Sequence, residues 1–106
     1  ELCLASATDA VAVVDVTDKA RPVRLSRTPY GGSADTYTHQ GGLTADHRFF
    51  LFGDELDEYK GGGATRTLVL DVRDPAAPAY LGHHAGRTAA IDHNQYVRDD
   101  LVYQAN

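Results

Sequence analysis

The residues of this chain best suited to holding an ion or moving a proton are five histidines and a short run of acids. The histidines are His39, His47, His83, His84 and His93. None sits in a His-x-x-x-His or His-Glu-x-x-His spacing, so local sequence carries no zinc signature. The acids Asp54, Glu55, Asp57 and Glu58 crowd into one stretch. Oxygen-rich clusters suit Ca²⁺, but an EF-hand loop needs alternating acids, a following Gly and a late Glu, and that spacing is missing. A solvated hairpin loop leading into Gly61-Gly62-Gly63 outweighs a cation site on this stretch alone. Ser33, His39 and Asp54 can be assembled on paper into a hydrolase triad, yet Ser33 lacks a Gly-x-Ser-x-Gly elbow. Gly61-Gly62-Gly63-Ala64-Thr65 lacks the Lys of a phosphate loop and reads as a flexible hairpin.

Whether distant donors converge depends on the elements that carry them, and those read as short β-strands. Val11 to Val16 is apolar and β-branched. Val23 to Thr28 alternates, with Val23 and Leu25 on one face and Arg24 and Ser26 on the other. Arg48 to Phe52, Thr65 to Val72, Ala79 to Gly82, Asn94 to Val97 and Leu101 to Gln104 are further strands. Turn clusters separate them: Gly31-Gly32-Ser33, Gly41-Gly42, Gly61-Gly62-Gly63 and Asp99-Asp100. No longer segment keeps an apolar helical period, so no substantial helix is expected.

The chain repeats itself. Val14 to Leu25 and Leu70 to Leu81 both read apolar-Asp-Val-x-Asp-x-Ala-x-Pro-x-x-Leu. Asp15 and Asp71, like Pro22 and Pro78, lie 56 positions apart, and His39-Gln40 matches His93-Asn94 at 54. In each copy the loop Asp (Asp18, Asp74) can accept backbone N–H bonds in an Asx-type turn. The later Pro fixes φ as the chain enters a strand at an edge, where no donor is needed. One unit then holds four strands, about 38–44, 48–54, 65–72 and 78–83. Four-stranded antiparallel units repeating at roughly 40–55 residues are the signature of a β-propeller. The expected fold is all-β. Residues 1–30 end one blade, 38–84 form one complete blade, and 91–106 begin the next. That is about two blades, where a closed propeller has roughly four to eight.

In such a meander, loops entering the first strand and joining strands two to three lie on one face. His39 and His93 enter successive first strands, and Asp54 to Glu58 joins strands two and three. Asp92 and Asn94 add oxygens beside His93. The ligand or cation candidates are therefore His39, Asp54, Glu55, Asp57, Asp92, His93 and Asn94. Ca²⁺ is the only cofactor suggested, and no catalytic residue is assigned. The alternative is that His39 and His93 hydrogen-bond neighbouring blades structurally. Convergence of both histidines with an acid of 54–57 within metal-ligand distance would favour a metal-dependent propeller, whereas histidines that point apart or cap backbone groups would favour a binding module. A complete strong site is expected to need ligands from further blades, leaving any binding weaker than about 10 µM.

The chain has 106 residues, 42% hydrophobic and 24% charged, a globular composition. Ten Lys and Arg against 15 Asp and Glu give a charge of -5, with no basic stripe for nucleic acid. Apolar runs reach about five residues, as in Ala10 to Val14, against roughly 20 for a membrane span. No basic start leads into an apolar stretch, so no signal peptide is expected within the chain. Cys3 is the only cysteine and excludes an internal disulfide or a Cys-based zinc site. Between Leu2 and Leu4 it reads as a buried, inert thiol. The absence of Met and the apolar segments at Glu1 and before Asn106 suggest a piece of a longer protein.

The motifs also carry a resemblance. Val13-Val14-Asp15-Val16-Thr17-Asp18 and Val69-Leu70-Asp71-Val72-Arg73-Asp74-Pro75 resemble the LVIVD repeat. The ordered strings Arg24 to Tyr30, Tyr37 to Gly41, Gly53 to Glu58, Thr65 to Thr67, Ile91 to Asn94 and Tyr103 to Asn106 resemble the bacterial choice-of-anchor B family. The resemblance covers nearly the whole chain. It implies an extracellular or surface-anchored bacterial propeller, some of whose relatives carry a loose label of regulatory P domain of subtilisin-like proprotein convertases. It supplies no catalytic residues. The expected function is a non-enzymatic binding or scaffold module for a protein or glycan, without membrane insertion. The alternative is part of a metal-dependent or protease-associated regulatory propeller with a site on the His39/His93 face. Unpartnered blade edges further lead to an expectation of self-association.

Overall fold

The computed structural model describes residues 1–31 and 36–106. In chain order the elements are β1 (Leu2–Ser6), β2 (Ala10–Asp15), β3 (Val23–Pro29), β4 (Thr38–Leu43), β5 (Phe49–Asp54), α1 (Asp57–Gly61), β6 (Arg66–Asp71), β7 (Ala79–Ala85), β8 (Gln95–Arg98) and β9 (Leu101–Gln104). They form three antiparallel sheets, ordered β1-β2-β3, β4-β5-β6-β7 and β8-β9. The fold is all-β, as strand-length apolar runs bounded by Gly, Asp and Pro require. The four strands expected between 38 and 83 are β4 to β7, with ends shifted by about one or two residues.

The repeated loops share one construction. Ala20 N–H donates to Asp18 Oδ1 at 3.1 Å, and Ala76 N–H to Asp74 Oδ1 at 2.9 Å. Thr17 N–H and Arg73 N–H donate to Asp15 and Asp71 in the same way, at 2.8 and 3.0 Å. Pro22 and Pro78 lead directly into β3 and β7, both edge strands, where a missing N–H costs nothing. The register then slips at matching places. Partners of β2 skip Leu25, and partners of β6 skip Leu81. These bulges break the simple alternation expected for 23–28 and twist both edges.

Neighbouring sheets touch through several strands. β4 lies against β8, the strands that carry or follow the corresponding His39 and His93. β3 lies against β7, the strands that follow the repeated loop. The core between the first two sheets joins Val11, Tyr30, Phe50, Phe52, Leu68 and Leu70. Tyr30 meets Phe52 edge-on, with ring centroids 4.9 Å apart.

Two expectations are corrected here. Cys3 is exposed, not buried, because β1 is an edge strand with little packed on that side. The stretch after β5 is not an open hairpin loop but one helical turn, α1. Asp57 and Glu58 occupy its first turn and Lys60 its last, which suits the helix dipole. Gly62, at φ 61°, closes it by donating its N–H to the Glu58 carbonyl at 3.0 Å.

Glycine at 41 is demanded by packing. A Cβ there would lie 2.5 Å from the Leu51 carbonyl oxygen and 2.5 Å from Phe50 Cζ. A Cβ at Gly61 would meet nothing within 4 Å. Urea denaturation is expected to show Gly41→Ala destabilised by about 1–3 kcal/mol. Gly61→Ala should be neutral or more stable by up to about 1 kcal/mol. Equal effects from the two would refute this packing assignment.

Candidate functional site

The site is built around the end of β5. Asp54, its last residue, is fully buried at 0% exposure. Its Oδ2 accepts from the Tyr30 hydroxyl at 3.0 Å, and its Oδ1 from the Tyr37 N–H at 2.8 Å and the Leu56 N–H at 3.4 Å. Tyr30 in turn accepts from the Thr38 hydroxyl at 2.8 Å. Burial, assisted by Asp54, pushes the Tyr30 hydroxyl above its ordinary pKa, so it remains a donor. Both Asp54 oxygens are thereby engaged within the protein. Asp54, expected among the cation ligands, lies outside both groups of converging donors.

Immediately beyond it, Glu55 turns toward the histidines. Its N–H donates to the Tyr37 carbonyl at 3.0 Å, which fixes the backbone beside β4. Glu55 Oε1 lies 2.5 Å from His93 Nδ1, and Glu55 Oε2 lies 3.9 Å from His39 Nε2. His39 Nδ1 is 2.8 Å from the His93 carbonyl oxygen, so it donates there and leaves Nε2 with its lone pair. The two imidazoles stack at 4.6 Å between centroids, and Tyr37 continues the stack at 6.3 Å from His39. Donor atoms of His39, Glu55 and His93 all lie within 4.8 Å of one another. This is the convergence that the strand order led one to look for.

The remaining acids gather elsewhere. Asp57, Glu58 and Asp92 form a second group whose oxygens also lie within 4.8 Å of one another. Asp57 Oδ2 accepts from Arg66 Nε at 2.5 Å, and Asp92 Oδ2 from Gln104 Nε2 at 3.1 Å. Gly53 makes room for Asp92, since a Cβ there would fall 1.9 Å from Asp92 Oδ2. The donors expected to form one composite site fall into two separate groups. Asp57 and Asp92 belong to the second, and Asn94 belongs to neither. Glu58, left out of the candidate ligands, is buried at its centre. The signal that could have exposed it is the good helix-forming run Asp57 to Lys60 before Gly61-Gly62, which turns Glu58 back toward the sheet. The Ser33 of the paper triad lies outside the described residues.

Comparison with family models, with curated proteins and with solved structures finds no match to this chain.

The acidic group sets a pH dependence. Burial, with Asp57 beside it, pushes the Glu58 carboxyl up to about 7. Burial and the Asp57 charge push Asp92 up to about 6, with the Gln104 hydrogen bond opposing the shift and Asp54 adding to it. Both groups hold protons in the folded state that the unfolded chain releases above its ordinary carboxyl range. The associated stability is present at about pH 4 and lost as pH rises toward about 7. In excess chelator, the urea midpoint should fall between about pH 5 and pH 8, and Glu58→Gln should flatten that fall. A slope identical in wild type and variant would show that Glu58 does not carry it.

Proposed function

We propose that this chain is a non-enzymatic binding module, a segment of a β-propeller of the LVIVD-repeat, choice-of-anchor B type at a bacterial surface. Its functional face is the His39–Glu55–His93 cluster, which takes a divalent transition metal. The observation that carries the metal reading is the approach of two imidazole nitrogens and a carboxylate oxygen within 4.8 Å. Two His and one Glu suit Zn²⁺ and its neighbours, not the oxygen-seeking cations. The His93 carbonyl already orients His39 through Nδ1, the outer support that metal-bound histidines commonly have. Binding an ion requires only that His93 exchange its contact with Glu55 for the metal.

The propeller reading is supported by two antiparallel meanders and a hairpin in succession, with β4 against β8 and β3 against β7. The module reading is supported by where the cluster sits. His39 is on β4 and His93 leads into β8, so a bound ion ties one sheet to the next and shapes a face for a protein or glycan ligand. The convergence of His39, Glu55 and His93 favours the metal-dependent regulatory alternative, and so does a second observation. The His93 side chain is 58% exposed, which leaves room for an outside group on the ion.

Calorimetric titration with Zn²⁺ is expected to show one ion per chain, weaker than about 10 µM because three ligands leave the shell incomplete. His93→Ala should weaken it at least about ten-fold. Unchanged binding in that variant would remove the cluster as the site. Leu2, Val23, Tyr96, Leu101 and Tyr103 are exposed on sheet edges and faces, so self-association is proposed as well. Sedimentation at tens of micromolar should show a dimer or larger species, and a clean 11.4 kDa monomer would count against it.

A further inference from the structure

We infer that Asp57, Glu58 and Asp92 form a second, separate cation site, selective for Ca²⁺. It rests on donors other than those of the histidine cluster and on a different observation.

That observation is a set of buried carboxylate oxygens that no donor reaches. Glu58 is 7% exposed, and among the described residues neither its Oε1 nor its Oε2 has a hydrogen-bond partner. Asp92 is 2% exposed, and its Oδ1 is open in the same way, as is Asp57 Oδ1. A buried anion without a donor costs too much to persist unless a cation or proton meets it. The arrangement of the outer partners shows what is left over. Arg66 holds one oxygen of Asp57, Gln104 holds one oxygen of Asp92, and each leaves its other oxygen to the group. Such supports fix ligand carboxylates in metal sites.

Charge and donor chemistry favour Ca²⁺. Three carboxylates gather in this group, of which Asp57 is paired with Arg66, a donor set suited to a divalent ion. All donors are oxygen, which selects a hard cation over Zn²⁺. Ca²⁺ accepts about six to eight oxygens in flexible geometry, whereas Mg²⁺ demands a near-ideal octahedron and gives up its waters reluctantly. Asp57 and Glu58 also line an open cleft of about 580 Å³, although their unpartnered oxygens are closed off from solvent.

The experiment uses the whole chain, stripped with chelator at neutral pH, and CaCl₂ as the probe. Calorimetry and thermal unfolding should show saturable stabilisation, with a dissociation constant of about 10⁻⁵–10⁻³ M. Mg²⁺ should stabilise less at equal concentration. Glu58→Gln should weaken Ca²⁺ at least about ten-fold while leaving Zn²⁺ binding as in wild type, and in chelator it should melt higher than wild type because one buried charge is gone. Asp92→Asn, which keeps an oxygen for Gln104, serves as the second variant with the same expected loss. No stabilisation by Ca²⁺ up to about 10 mM, beyond the weak end of known modules, would show that a shared proton suffices and would overturn the site. Wild-type Ca²⁺ affinity in both variants would equally overturn it, by placing the ion elsewhere.

Discussion

The buried carboxylate of Asp54 is the constraint on which the rest of the arrangement depends. It accepts from Tyr30 at the end of the first sheet, from Tyr37 where the chain approaches β4, and from Leu56 at the start of α1. Each donor comes from a different segment, so one charge fixes three backbone positions at once. Removing it would leave a phenol and two amides without an acceptor, at about 1–3 kcal/mol for each buried group. With Asp54 satisfied inward, the next residues have defined directions. Glu55 is delivered to the histidines, and the helical turn carries Asp57 and Glu58 back toward Asp92. The two donor groups are separate because the carboxylate between them is already engaged.

The repeat supplies the frame in which that constraint works. Paired Asx turns at Asp15/Asp18 and Asp71/Asp74 make two rigid corners of the same shape. Matching bulges at Leu25 and Leu81 give β3 and β7 the same local twist, so they can lie against each other. Matching corners and bulges accompany the contact of β3 with β7 and of β4 with β8. These contacts bring His39 and His93, a correspondence visible in sequence, to ring-stacking distance.

Strands were readable in the residues because each apolar run has strand length and ends at Gly, Asp or Pro. The face shared by His39, Glu55 and His93 followed from strand order alone. What sequence did not disclose depends on contacts between distant segments. Asp54 looks like a solvated loop acid until Tyr30, 24 positions earlier, is placed against it. Glu58 looks exposed until the chain is seen to turn helically after Leu56. Asp92 needs the space above Gly53, on a different sheet. Cys3 was misjudged by its apolar neighbours, since an edge strand can hold Leu4 half-buried while its neighbour faces solvent.

The two proposed ion sites share a mechanical consequence. A two-stranded hairpin is marginal by itself, and β8 and β9 are mostly exposed. Their attachment to the central sheet runs through a few polar contacts. Gln95 N–H donates to Gln40 Oε1 at 2.6 Å, Thr67 to Gln104 Oε1 at 2.9 Å, and Thr65 to the Ala90 carbonyl at 2.5 Å. His93 and Asp92 sit next to one another in the segment leading into that hairpin, and each belongs to one donor group. The partners, His39 and Glu55 for the first and Asp57 and Glu58 for the second, all belong to the central sheet or to the turn that follows β5. An ion in either group therefore adds a cross-link at the same seam. Nitrogen donors in one and oxygen donors in the other make the links answer to different metals. On these assignments, cations act on how firmly successive sheets dock, and the binding face that depends on their docking follows the ionic composition of its surroundings.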